Sequence, residues 1–127
     1  MVGNEPDEDG GRGVVVLTSS VGAYEGQMGQ VAYAVSKAAS SRWWLPAARA
    51  LARSGVRVAG VAPGVFDTPF MDVLSDEAKA ALGASVPHPS RFGKPSEYAA
   101  LVRHVAENPM LNGETIRLDG ALRLGMK

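Results

Sequence analysis

Apolar residues in this chain fall into short blocks separated by small and polar stretches. Gly13–Thr18 reads Gly-Val-Val-Val-Leu-Thr, a continuous β-branched run with no polar alternation. Such a run predicts a strand buried on both faces, as in a parallel sheet. Val56–Ala62 predicts a second strand, closed by Pro63-Gly64, and Glu114–Leu118 a third, set between Asn112-Gly113 and Asp119-Gly120. Gln30 to Ser54 is rich in alanine, leucine and arginine and stops at Gly55, a residue suited to a helix C-terminus. It predicts one long helix, with a kink or distorted turn at Pro46. Pro95 suits the first turn of another helix, along which Tyr98, Leu101, Val102 and Val105 share one face. Val65 to Gly93 is looser, with a short helical stretch around Ser75 to Leu82. Residues 1–12, acidic and glycine-rich, predict a solvated loop or tail ahead of a single folded unit over 13–127.

Strand, helix, strand, helix, strand is an α/β order, with right-handed crossovers and a parallel sheet of three strands. Three strands leave Val14–Leu17 as a bare apolar edge, a site for unwanted pairing. A partner chain or a further part of the same fold is expected to cover it.

Composition adds mainly exclusions. The 127 residues carry 13 basic and 13 acidic side chains, so no net field favours nucleic acid or an anionic membrane. The absence of cysteine removes disulfide and thiolate chemistry. His88 and His104 lie in different segments and make a poor metal site, so no metal is expected. No apolar run approaches the roughly 18 residues that span a bilayer. The acidic start is the reverse of a signal or transit peptide. A soluble intracellular protein is the expectation.

The chemistry gathers after the first strand. Tyr33 and Lys37, in Tyr-Ala-Val-Ser-Lys, are spaced to lie one turn apart on the same helix face. A tyrosine hydroxyl ordinarily titrates near 10, and an adjacent ammonium favours its phenolate. Helices place such pairs by chance, so the pair alone is weak evidence. Ser20 strengthens it: it follows the first strand at its C-terminal end, where open α/β sheets bind ligands. Its hydroxyl is placed to hold a substrate oxygen against the phenol. On chemistry alone Ser19 would serve equally well.

Ser20, twelve intervening residues, Tyr33, three more, then Lys37 resembles the active-site signature of the short-chain dehydrogenase/reductase family. Pro63-Gly64-Val65-Phe66-Asp67-Thr68 is similar to that family's Pro-Gly-x-x-x-Thr segment, and Leu118-Asp119-Gly120 to its last strand. The stretches GAYEGQMGQVAYAVSK, VAPGVFDTPF, PSRFGKPSEYA and ENPMLNGETIRLDGALR resemble its type 2 3-hydroxyacyl-CoA dehydrogenase branch.

The resemblance implies the C-terminal half of a Rossmann-like, doubly wound parallel sheet. It implies an oxidoreductase of secondary alcohols and ketones that uses NAD, with NADP not excluded. Tyr33 would exchange the proton, Lys37 would support it and contact the nicotinamide ribose, and Ser20 would orient the substrate oxygen. Pro63, Gly64, Val65, Phe66 and Thr68 would line the nicotinamide. Gln30 is a candidate substrate contact, which loop polarity explains equally well. The implied substrate is an acyl-CoA thioester or hydroxysteroid. The implied assembly is a homodimer or homotetramer through the helix at 30–54; of the adjacent Trp43 and Trp44, one would face inward and the other an interface, unless both lie beneath the C-terminal segment or the rest of the fold. The implied location is cytoplasmic, or the mitochondrial matrix in a eukaryote. The family's Thr-Gly-x-x-x-Gly-x-Gly turn, which holds the pyrophosphate, does not occur in this sequence. The chain is therefore expected to keep the catalytic group without the pyrophosphate and adenine sites; the competing reading is a truncated, non-catalytic chain that acts in oligomerisation.

Overall fold

The computed structural model describes residues 1–126. Three parallel strands form one sheet in the order β1 (Gly13–Thr18), β2 (Val56–Pro63), β3 (Thr115–Leu118). Gly13 pairs with Val56 and Thr18 with Val61; Gly60 pairs with Thr115 and Pro63 with Leu118. The central strand is the most buried, with Val58 and Val61 almost wholly enclosed, while β1 and β3 are edges in the described chain. The predicted open edge at β1 is thus observed.

The segment expected to be one helix is two: α1 (Val31–Arg42) and α2 (Trp44–Leu51). The break falls at Trp43, one turn ahead of Pro46. Proline has no N–H for the carbonyl of Arg42, and its ring crowds that carbonyl, so the interruption appears before the proline. The helical ladder resumes with Ala47 donating to the Trp43 carbonyl at 3.0 Å. Gly55 ends the segment at φ 67°, the left-handed conformation that a helix stop favours in glycine.

α2 packs on the sheet face made by Val15, Leu17 and Val58, with Trp44 and Ala48 filling the space between. Gly60 has no side chain because the Trp44 indole occupies the position its Cβ would take. The two tryptophans divide as adjacent helical positions must: Trp44 is buried and Trp43 is half-exposed.

The opposite sheet face, carrying Arg57 and Thr18, meets α4 (Pro95–Glu107), which begins at Pro95 as expected. Arg57 donates to the carbonyls of Val105, Ala106, Asn108 and Leu111 at 2.7–3.0 Å, closing the C-terminus of α4. α3 (Asp76–Ala84) starts one residue after its predicted position, capped by the Ser75 hydroxyl. Val65, Val86 and Leu122 form a second apolar cluster beyond the strand ends. Residues 1–12 form an exposed loop with its own hydrogen bonds: the Asp7 carboxylate accepts from the amides of Asp9 and Gly11.

Candidate active site

The C-terminal ends of β1 and β2 open into the loops that hold the predicted residues. Ser19 continues the line of β1, its amide donating to the Val61 carbonyl at 2.8 Å. Its hydroxyl, 2% exposed, donates to the Lys37 carbonyl at 2.9 Å and is spent on tying the loop to α1. Ser20 points the other way. It caps the short turn Val21–Ala23, its Oγ accepting from the Gly22 amide at 3.1 Å. That bond uses a lone pair and leaves the hydroxyl proton free to donate. Both serines line the same cleft; these contacts commit the Ser19 hydroxyl to α1 and leave the Ser20 hydroxyl with a proton to donate.

Tyr33 and Lys37 lie on the first two turns of α1. The Tyr33 ring packs over Gly22: a Cβ there would stand 3.1 Å from Tyr33 Cε1 and 3.4 Å from Ser20 Oγ. This glycine lets phenol and serine approach one another. The Lys37 ammonium lies 5.8 Å from the Tyr33 ring centroid and donates to the Thr18 carbonyl at 3.4 Å. Ammonium and phenol are therefore neighbours, as their spacing predicts.

Two clefts meet at this pair. One, of about 440 Å³, is lined by Lys37, Thr68, Pro63, Phe66 and Tyr98. The other, of about 500 Å³, is lined by Gln30 and by apolar side chains including Val21, Met71, Leu82 and Leu124. Ser20, Tyr33 and Gly64 border both. Gln30 and Val65 open on the apolar cleft only, and the Val65 side chain turns into the core beside Val86 and Leu122.

The Pro63–Thr68 stretch is held from behind. Gly64 donates to the Leu118 carbonyl, Gly93 to Val65, and Asp67 to Gly93, each at 2.9 Å. The Phe66 ring stands edge-on to Tyr98, centroids 6.2 Å apart. Thr68 begins the next turn without spending its hydroxyl on capping it.

Two ion-pair groups fix the flanks. Arg117 donates to Glu25 at 2.8 Å and to Asp119 at 2.7 Å, and Glu25 also accepts from the Leu124 amide. The loop leading into α1 is thereby fastened to the segment that walls the apolar cleft. The Arg117 hydrogen bond holds the Glu25 carboxyl below the usual carboxylate range. At the start of α4, Arg91 pairs with Glu97 at 2.6 Å while Glu97 accepts from the Lys94 amide at 2.7 Å. These bonds, led by Arg91, bring Glu97 down to about 2.

Thr18 and Tyr98 also border the first cleft, their hydroxyls 2.6 Å apart. Apolar periodicity placed Tyr98 on a packing face; only its hydroxyl hinted at more. Among the described residues no cluster of metal-ligating side chains forms, and no helix is long and apolar enough to cross a membrane.

Residues 6–122 match the family model described as enoyl-(acyl carrier protein) reductase. The chain is 52% identical to a Drosophila melanogaster protein named 3-hydroxyacyl-CoA dehydrogenase type-2, over 98% of this chain and 49% of that one. It is 53% identical to the Homo sapiens protein of that name, over 95% of this chain and 46% of the other. A crystal structure of 3-hydroxyacyl-CoA dehydrogenase type-2 from Mycobacterium avium superimposes with a TM-score of 0.94 at 44% identity. It is matched over 99% of this chain and 49% of its own length. The chain thus spans about half the length of the relatives it matches.

Proposed function

The chain belongs to the short-chain dehydrogenase/reductase family, and we propose that it carries the catalytic group of a nicotinamide-dependent oxidoreductase acting on secondary alcohols and ketones. The observation that carries this reading is the position of Ser20 and Tyr33 on the border between two clefts, one of which also holds Lys37 and Thr68 while the other holds Gln30.

The first cleft suits a nicotinamide and its ribose. Pro63 and Phe66 offer apolar surface to a flat ring, the Thr68 hydroxyl is uncommitted to its turn, and the Lys37 ammonium supplies donors for ribose hydroxyls. Lys37, Tyr33, Thr68 and the Pro63–Phe66 backbone, Gly64 and Val65 included, would hold that end of the dinucleotide. When bound, it supplies the acceptor or donor of hydride.

The chain's own residues supply the rest. Ser20 donates to the substrate oxygen and fixes its direction. Tyr33 takes the proton as an alcohol is oxidised and returns it in reduction. Lys37 sets its positive charge beside the Tyr33 ring. The apolar cleft gives a hydrocarbon chain a place to lie, with Gln30 at its polar end; 3-hydroxyacyl thioesters are the substrate class this favours, with hydroxysteroids as the second. The relatives' names support the first, and NAD over NADP is carried by resemblance alone.

An oligomerising role is favoured by one observation. α1 buries no residue completely, and Val31, Val35, Trp43 and Leu45 are 74%, 62%, 49% and 44% exposed. A homodimer or homotetramer through residues 30–54 would cover them. The reading is tested by titrating the purified chain with NADH and NADPH and following nicotinamide fluorescence. Saturable binding of similar strength is expected for the two, which differ only at the adenosine ribose, far from the nicotinamide cleft. Dissociation constants weaker than about 1 mM for both would remove the oxidoreductase reading for this chain and leave oligomerisation.

A further inference from the structure

We infer that Tyr98 is a positioning residue that holds the Lys37 ammonium in place through Thr18. The inference deepens the proposed role of Lys37 and rests on it.

The three residues come from three elements. Thr18 is the last residue of β1, Lys37 lies on α1 against one sheet face, and Tyr98 lies on α4 against the other. Thr18 joins the two sides. Its hydroxyl shares a 2.6 Å hydrogen bond with the Tyr98 hydroxyl, and its backbone carbonyl accepts from Lys37 Nζ at 3.4 Å. All three border the cleft assigned to the nicotinamide.

Several features make Tyr98 a fixed post. Its ring packs edge-on against Phe66, which the Gly93 bridge holds. It sits in the first turn of α4, where Arg91, Glu97 and the Lys94 amide lock the helix start. Thr18 is by contrast an exposed residue at the end of an edge strand: the ladder holds its peptide through one bond, from the Ser19 amide to the Val61 carbonyl, and leaves its side chain to Tyr98. The hydrogen bond shared with a fixed phenol adds a second restraint, through the Thr18 side chain, on the residue whose carbonyl receives the ammonium. The other end of Lys37 is already held by Ser19 on its carbonyl, so the flexible part is the side chain that Thr18 anchors.

The test is residue-resolved lysine acetylation of the whole chain, read by mass spectrometry after a short pulse of an active ester at fixed pH. An ammonium held on a carbonyl reacts more slowly than a free one. Tyr98→Phe keeps the ring against Phe66 and removes only the hydroxyl; it should raise the Lys37 rate about threefold, the factor a neutral hydrogen bond is worth. Thr18→Val should do the same, Thr18→Ser should restore the original rate, and the double variant should exceed neither single one. Lys79, paired with Asp72 elsewhere, should not change. An unchanged Lys37 rate in Tyr98→Phe, or a rise shared by Lys79, overturns the proposal. NADH titration of the same variants separates the two readings. Weakened binding without a change at Lys37 would make Tyr98 a ligand contact and end the positioning role. Faster Lys37 labelling in a chain that never binds NADH would retain the positioning role and remove the oxidoreductase reading.

Discussion

The Ser19 hydroxyl donates to the backbone carbonyl of Lys37 at 2.9 Å, tying the end of β1 to the middle of α1. The neighbouring Ser20 makes no such tie and faces the clefts.

Adjacent serines should therefore fail in different ways. Ser19→Ala leaves one helix carbonyl without its second donor and should cost about 1 kcal/mol of stability, read as a lower urea midpoint. Ser20→Ala also loses a bond, its cap on the Gly22 amide, at a cost of about 1 kcal/mol, but it alone should lower turnover, about a hundredfold, the usual scale for losing one hydrogen bond to a reacting oxygen.

Tyr33→Phe removes the only acid–base group that, among the described residues, borders both clefts. Turnover of a 3-hydroxyacyl thioester should fall about 10²- to 10⁴-fold, while circular dichroism stays unchanged because the ring still packs over Gly22. Undiminished turnover would show that proton exchange occurs elsewhere.

Arg57 presents four hydrogen bonds to the end of α4 from one planar cation. Arg57→Ala should destabilise the protein by about 2–3 kcal/mol, the range for hydrogen bonds to charged groups. Arg57→Lys should recover the charge at the helix terminus and only part of the stability, since an ammonium lacks the guanidinium fork. Denaturant midpoints of the three proteins decide the order.

Gly60→Ala drives a methyl into the Trp44 indole. Overpacking of this kind costs about 1–3 kcal/mol. Trp44 emission should shift to the red as it gains water, while the exposed Trp43 remains the tryptophan that acrylamide quenches first.

Acid should loosen both ends of the site. Glu97 is held down to about 2 by Arg91, and Glu25 is lowered by Arg117. A carboxyl whose folded value lies below its unfolded one adds stability above the unfolded value and loses it as pH falls toward the folded one. The urea midpoint should therefore be flat above about pH 5 with respect to these groups and decline from about 4.5 toward 2. Glu97→Gln should remove part of that slope and leave the contribution of Glu25.

Much of this was legible along the chain. The β-branched run at Gly13–Thr18, the stop at Gly55 and the start at Pro95 all lie where the elements do, because each depends on local backbone geometry and on burial that repeats at a fixed period. Ser20, Tyr33 and Lys37 were singled out by spacing, and one strand end and two helical turns bring the three to one cleft. The disruption expected at Pro46 falls three residues earlier, at Trp43, because the proline acts through a carbonyl four residues before it.

By itself, then, the sequence determined the α/β order, the strand positions and the identity of the phenol–ammonium pair. The tertiary structure decided which serine hydroxyl is tied to α1, which tryptophan is core, why Gly22 and Gly60 carry no side chain, and that Tyr98 meets Thr18. Those outcomes depend on strand order and register, which bring residues as far apart as 18 and 98 into contact. Local preference specifies how a segment is shaped. Only packing across the sheet specifies what that segment touches.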